Sequence, residues 1–324
     1  MSEINTSAVD AMGQTSPPPQ SVAVVLTERC NARCIYCPYR NNILHFPEDP
    51  PAESLLRLIH EAAAYGVSGF RLSGGEPLLR KDITLFIREA RQLSLESSIV
   101  TNGSLLNEHR LEELVAAGLQ AITLSIDSLI PQTYEYCRGL PFDCSYRALE
   151  NIRHLKVDHA PVWVGVTVVI TRYNVEELPD IARSLSAMEI PVQFQPCHSY
   201  SPQHENDHLR PTTDQITHSI DALLRLREEG YLINNSVQYL TGIPTFFARY
   251  SPPPGFQCQI PWTLAVFDGD LSLRPCCFLQ PPVEHSRGCS LHQAWTSPAM
   301  NVWREQIRRG ECPGCWLLSL DTWK

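Results

Sequence analysis

"SVAVVLTERCNARCIYCPYR", residues 21–40, joins an apolar, β-branched run to three cysteines, Cys30, Cys34 and Cys37, within eight residues. The run has the composition of a buried strand, and the cysteines follow its carboxyl end. Structural metal sites are usually closed by four ligands, so three thiolates this close together leave one position to explain. Spaced C-x3-C-x2-C, they can hold three irons of a [4Fe-4S] cube and leave the fourth iron open to a non-protein ligand. Zinc is the alternative. It would more often use paired C-x2-C elements or nearby histidine, and "RCNARC" supplies neither.

Outward from this segment, short β-branched runs alternate with amphipathic stretches as far as residue 198. Strands are expected at "GFRLSG" (69–74), "SSIVTNG" (97–103), "AITLSID" (121–127), "VGVTVVIT" (164–171) and "VQFQP" (192–196). Between them, helices fit 52–66, 83–93 and 108–118, where apolar residues recur at helical spacing and Gly66 and Gly118 are suited to stop a helix. A further helix fits 174–188, where Asn174 and Glu177 have capping-box spacing and Pro179 blurs the start. Six such units suggest a partial (β/α)6 TIM-like barrel, with its chemistry at the carboxyl ends of the strands. Beyond the last strand, a polar loop at 196–211 is expected to cross the barrel mouth, followed by helices at 212–230 and 234–250.

Composition then shifts. From Gly255 onward there are six cysteines in about sixty residues, with a β-hairpin expected at 266–273 and a helix near 297–310. The expected division is an N-terminal arm over 1–20, disordered and without the features of a signal peptide, a barrel with its following helices over 21–254, and a small metal-rich domain over 255–324. Twelve cysteines without a secretory signal read as reduced thiols in the cytoplasm, available for metal. The net charge of −9, with no Lys/Arg cluster, argues against nucleic acid, and no run of eighteen apolar residues suggests a membrane span.

The second motif is "LSGGEPLLR", where Gly74, Gly75, Glu76 and Pro77 follow the second strand. Paired glycines permit close backbone approach, and the adjacent carboxylate can accept hydrogen bonds from a ligand ammonium. Taken together, the two motifs resemble those of the radical S-adenosylmethionine (radical SAM) enzymes. The C-x3-C-x-aromatic-C pattern is matched at Cys30, Cys34, Tyr36 and Cys37, and GGEP is matched letter for letter. The resemblance spans roughly residues 21–198. It implies that SAM chelates the open iron and is cleaved by one electron to methionine and a 5'-deoxyadenosyl radical. It also implies that Gly74, Gly75 and Glu76 hold the methionine ammonium, and that Ser125 binds the carboxylate with Arg138 as cationic partner and Asp127 nearby. Thr101 and Asn102 would face the ribose and Tyr36 the adenine.

Near the C-terminus, Cys258 and Cys276 flank the expected hairpin, and "CPGC" supplies Cys312 and Cys315. By spacing alone a four-cysteine zinc site is open. The same resemblance, to the shortened SPASM domain called twitch, implies instead an auxiliary [4Fe-4S] cluster with four protein ligands, making two clusters in all. Cys277 could replace Cys276 as ligand. Such an auxiliary cluster can accept an electron, so the family resemblance implies dehydrogenation of a carbinol on a small polar metabolite, such as an amino sugar or aminocyclitol of a specialised (antibiotic-type) pathway. A reductant such as flavodoxin or ferredoxin is then a partner. The alternatives are epimerisation with Cys197 or Cys277 as the hydrogen-donating thiol, decarboxylation of a sugar acid, and peptide modification. His198, Glu205, Asp207 and Arg172 are candidate substrate contacts, while Cys137, Cys144 and Cys289 read as incidental.

Overall fold

The computed structural model describes residues 16–38, 48–157, 162–200, 205–279, 282–312 and 314–318. In chain order the elements are β1 (Ser21–Thr27), α1 (Ala52–Tyr65), β2 (Gly69–Gly74), α2 (Ile83–Gln92), β3 (Glu96–Thr101), α3 (Glu108–Ala116), β4 (Ala121–Ser125), α4 (Pro131–Arg138), α5 (Phe142–Val157), β5 (Trp163–Ile170), α6 (Leu178–Ala187) and β6 (Val192–Pro196). The chain continues with α7 (Thr213–Glu228), α8 (Val237–Arg249), the single turn α9 (Ile260–Thr263), β7 (Leu264–Phe267), β8 (Leu273–Arg274), α10 (Leu291–Trp295) and α11 (Pro298–Arg308). No helix among the described residues is long and apolar enough to cross a membrane.

The strands form one sheet in the order β6-β5-β4-β3-β2-β1-β7-β8. All neighbours are parallel except β8, which runs antiparallel to β7. The six expected strands are present, and the mostly parallel sheet with helices along one face is a partial TIM-like barrel. The cysteine-rich hairpin does not stand apart from it, because β7 pairs with β1 and extends the sheet.

Period-two alternation sorts the strand residues into two faces. Val22, Val24, Phe70, Leu72, Ile99 and Ile122 pack under the helices and are at most 1% exposed. The opposite face carries Arg71, Ser98, Thr123, Thr167, Gln193 and Gln195, all exposed or half-buried except Thr167. Val100, on the same face of the central strand β3, is 40% exposed, which requires an open lumen in front of it. A hydrophobic outer face and a hydrogen-bonding inner face are what a barrel needs to enclose a polar ligand.

Two expectations are corrected here. Residues 16–20 are not a loose arm: the Pro17 carbonyl accepts the Trp295 indole N–H at 2.9 Å, and the Gln20 carbonyl accepts the N–H groups of Ser68 and Gly69. Residues 1–15 lie outside the described residues. The Asn174–Glu177 capping box does not form either. The Asn174 Oδ1 accepts instead from the N–H and hydroxyl of Thr171 while its amide donates to the backbone carbonyls of Asp127 and Val169, and Glu177 accepts from the hydroxyls of Ser128 and Thr133. A single 3-10 turn, Val175–Glu177, then leads into α6, with Pro179 in its first turn.

Candidate active site between two cysteine constellations

The loop after β1 carries Cys30, Cys34 and Cys37 and is docked on the end of α4. Arg33 and Ile35 donate their N–H groups to the carbonyls of Arg138 and Cys137, at 2.9 and 3.0 Å. These are carbonyls that a helix end leaves without intrahelical partners. Gly139 closes the helix at φ +62, and a Cβ there would stand 2.9 Å from Cβ of Arg33. The glycine therefore sets how closely the loop and α4 approach.

The GGEP segment holds the other side. Gly75 and Glu76 donate N–H groups to the carbonyls of Thr27 and Arg29. A Cβ on Gly74 would lie 2.3 Å from the Thr27 carbonyl oxygen, and one on Gly75 would lie 2.4 Å from that of Arg29. The paired glycines thus allow two stretches of the protein's own backbone to meet. Glu76 is fully buried, and its carboxylate accepts from the Leu78 N–H, the Thr101 hydroxyl and the Asn102 N–H. Burial raises its pKa against the pull of those bonds. Three of roughly four acceptor positions on that carboxylate are occupied from within the chain. Thr101 is likewise turned inward, while the Asn102 amide reaches Asn31 at 2.9 Å and stands 4.0 Å from the Cys30 sulfur.

Tyr36, Asp127 and Arg138 form one buried unit. Tyr36 donates its hydroxyl hydrogen to Asp127 at 2.5 Å, Arg138 donates to the Tyr36 oxygen at 2.6 Å, and Arg138 and Asp127 are ion-paired at 3.4 Å. The Tyr36 hydroxyl is thus engaged within the chain by Asp127 and Arg138. Arg138 Nε is buried with no partner among the described residues. Ser125 ends β4 on the lumen face.

The second constellation combines Cys258, Cys276, Cys312 and Cys315. Three of them, Cys258, Cys312 and Cys315, line one cavity of about 220 Å³ together with Pro252, Pro253 and Phe256. Two of the sulfurs accept a backbone N–H from two residues further on, Cys276 from Phe278 and Cys312 from Gly314, both at 3.4 Å. Cys276 takes a second from Leu279 at 3.2 Å, and Cys30 repeats the pattern with Ala32 at 3.4 Å. Backbone donors aimed at sulfur are the outer-shell contacts that tune metal-bound thiolates. Burial pushes Cys258 up to about 11, Cys34 up to about 12 and Cys315 well above the thiol range. Thiols held protonated in this way are poor nucleophiles, whereas a bound metal would reverse the preference.

Among the described residues no three His, Cys, Asp or Glu side chains converge where one metal ion could hold them all. A zinc site would bring every sulfur to about 2.3 Å from a single ion. A cube instead takes one thiolate at each liganded iron, so its sulfurs stand apart.

The second constellation also closes the seam between the sheet edges β6 and β8. His198, just after β6, accepts the Trp316 N–H at Nε2 (2.9 Å), and its ring lies 5.9 Å from that of Phe278 beyond β8. Trp316 stacks on Tyr239 at 5.2 Å, and its edge fills the space over Gly242, where a Cβ would come within 2.4 Å. His198 is thus a buried latch and not a loop side chain facing substrate. Of the other proposed contacts, Glu205 accepts the Tyr200 N–H, Asp207 pairs with Arg210, and Arg172 is held through its own N–H to Leu209. Sequence reasoning missed Asn206, whose amide donates to the carbonyls of Tyr36 and His198 and carries the 205–210 segment across the mouth to the first cysteine loop.

Burial holds His198 neutral, its pKa lowered from 6.5 to about 3. Between those values the unfolded chain binds the additional proton, so this group's stabilisation is complete above pH 6.5 and is lost as the pH falls towards 3. The limiting slope is about 1.4 kcal/mol per pH unit. Denaturant midpoints measured across the acid range are expected to fall less steeply in His198→Gln than in wild type. Equal slopes would contradict the latch.

The profile of the Radical SAM superfamily matches residues 24–185 of this chain. The PqqA peptide cyclase of Xanthomonas oryzae pv. oryzae (strain MAFF 311018) is similar at 30% identity over 246 residues, 74% of this chain and 63% of that protein. The chain therefore spans less than two thirds of that relative. Among solved structures, Streptococcus suis SuiB bound to S-adenosylmethionine superposes with a TM-score of 0.70 at 16% identity, covering 93% of this chain and 72% of that one. Native anSMEcpe with bound AdoMet gives 0.68 at 18% identity, covering 94% and 88%. At such identities the likeness concerns the fold.

Proposed function

The chain belongs to the radical SAM superfamily, and from that premise we propose that it oxidises a carbon of a polar substrate bound in the barrel lumen, between two [4Fe-4S] sites. Cys30, Cys34 and Cys37 hold the SAM-cleaving cluster, and Cys258, Cys276, Cys312 and Cys315 hold the auxiliary one. When bound, these groups supply a 5'-deoxyadenosyl radical that takes hydrogen from carbon and an acceptor for one electron. The substrate carbinol then loses one hydrogen atom, one proton and one electron, leaving a carbonyl.

The observation that carries this reading is the seam. The second constellation bridges β6 and β8 through His198, Phe278 and Trp316, so it walls the lumen that the first constellation caps. Around SAM, the chain's own groups divide the work. Gly74 and Gly75 bring the GGEP backbone alongside the cysteine loop for the methionine ammonium, with Glu76 shaping that turn. Ser125 and the unpartnered Nε of Arg138 face the carboxylate, and Asn102 takes the ribose contact while Thr101 orients Glu76. Asp127 and Tyr36 hold Arg138. Cys276, with two N–H donors on sulfur, is favoured over Cys277 as ligand.

Cys197 is 1% exposed, which weighs against its returning hydrogen to a substrate and so against epimerisation. Peptide modification is the second reading, favoured by the similarity to PqqA peptide cyclase. The test is anaerobic incubation of the reconstituted enzyme with SAM, a reductant and panels of amino sugars, aminocyclitols, sugar acids and short peptides, reading 5'-deoxyadenosine and substrate mass together. Loss of about two mass units from a sugar or cyclitol probe, with the new carbonyl trapped by hydroxylamine, supports the oxidation, whereas the same loss from a peptide, which an internal cross-link also gives, supports the second reading. An unchanged mass with deuterium gained from solvent overturns it in favour of epimerisation, and loss of carbon dioxide in favour of decarboxylation.

A further inference from the structure

The lumen-facing positions of β1–β6 carry one cation among the described strand residues, Arg71. It lies in the middle of β2, paired in register with Ala23 on one side and Ser98 on the other. The same row runs through Val266 to Arg274, so the two arginines share a face of the sheet with two small or apolar residues between them. Arg71 has no hydrogen-bond or ion-pair partner among the described residues, although the Cys277 thiol is near enough to interact with it electrostatically. Its side chain is open to solvent, yet enough protein surrounds it for burial to lower its pKa. That combination describes a group on a cavity wall. Arg274 is 4% exposed, paired through Nη1 with Asp268 at 3.3 Å, and its Nε and Nη2 are buried without partners among the described residues. The remaining mid-strand groups on this face are neutral hydrogen-bonding side chains: Ser98, Thr123, Thr167, Gln193 and Gln195.

Resting on the lumen as the substrate site, we propose that Arg71 is a specificity-determining residue that binds a carboxylate of the substrate. A guanidinium presents paired N–H donors in the geometry of a carboxylate. The other mid-strand groups of this face are neutral and its one carboxylate among the described strand residues, Glu96, stands at the start of β3, so that contact fixes which end of the substrate points toward β2. The carboxylate can belong to a free sugar acid or to an acidic side chain of a peptide, and the probes separate these sources.

The experiment measures equilibrium binding to the reconstituted, SAM-loaded holoenzyme of two matched pairs: D-glucuronate against D-glucose, and N-acetyl-glutamate amide against N-acetyl-glutamine amide. At least one acid is expected to bind about tenfold more tightly than its neutral partner. Arg71→Gln is expected to erase that preference and Arg71→Lys to retain part of it, with unchanged melting temperatures reporting that both variants fold. Preference for the uronate identifies a sugar acid, and preference for the glutamate probe a peptide side chain. Equal binding or no binding of acid and neutral probes, or a preference that survives Arg71→Gln, overturns the assignment. Wild-type 5'-deoxyadenosine formation is measured in parallel. Its absence would refute the enzymatic reading itself, whereas its presence alongside indifferent binding refutes only the role of Arg71.

Discussion

Alanine at Cys30, Cys34 and Cys37 together is expected to abolish 5'-deoxyadenosine formation, a loss of at least about a thousandfold, because the cofactor and not the polypeptide performs the bond cleavage. Iron content should fall by about four per chain. The loop itself should persist, since it is held by Arg33 and Ile35 on α4 and by Gly75 and Glu76 against Thr27 and Arg29, all through backbone bonds in which Cys30, Cys34 and Cys37 take no part. A variant that is folded, depleted of one cluster and inactive is therefore the expected product. SAM cleavage at the wild-type rate in the triple variant would show that these thiols do not hold the reactive cluster.

The second large effect concerns Cys258, Cys276, Cys312 and Cys315. Replacing all four with alanine should remove about four further irons and uncouple the reaction, so that 5'-deoxyadenosine still forms while oxidised product falls below detection. Stability should fall too, because metal binding to a small site contributes directly to folding. The tail is the part at risk. It is fastened by Trp316 to His198 and Tyr239 and by Leu318 to Gln195, with little else described beyond α11. Since the fourfold variant can lose its fold, Cys276→Ser and Cys277→Ser are measured as single changes. The first should lose iron and coupling and the second should retain both. The reverse result would move the ligand to Cys277, and full coupling in every variant would remove the auxiliary site from the mechanism.

What the sequence disclosed follows from how local each determinant is. β1, β2 and β6 fall where the apolar runs place them, and α1 ends at Gly66 in a left-handed conformation that glycine adopts without strain. The two motifs were legible because their residues are contiguous. By contrast, α4 has no extended apolar stripe, with only Tyr134, Cys137 and Arg138 buried. It matters because its last carbonyls receive the cysteine loop, a partnership about a hundred residues apart in sequence. His198 sits in a polar stretch and reads as a loop residue; its burial depends on Trp316, 118 positions later. The pairing of β7 with β1 is equally non-local, and it turns an expected appendage into the edge of the barrel sheet. Asn174 illustrates a third limit. Its spacing to Glu177 fits a cap, but the Oδ1 that a cap would use accepts the N–H and the hydroxyl of Thr171, and its amide hydrogens go to the buried carbonyls of Asp127 and Val169.

The central claim is that one chain carries two cubanes of different kinds, one with an open iron and one closed by four thiolates. The most direct measurement is metal analysis of the anaerobically reconstituted wild-type protein, joined to electron paramagnetic resonance of the reduced enzyme with and without SAM. The account predicts about eight irons per chain, negligible zinc, and two reduced-cluster signals. Only one of these should shift when SAM is added, and that signal should be missing from the Cys30, Cys34 and Cys37 alanine variant. About four irons with one zinc, or spectra indifferent to SAM, would contradict it.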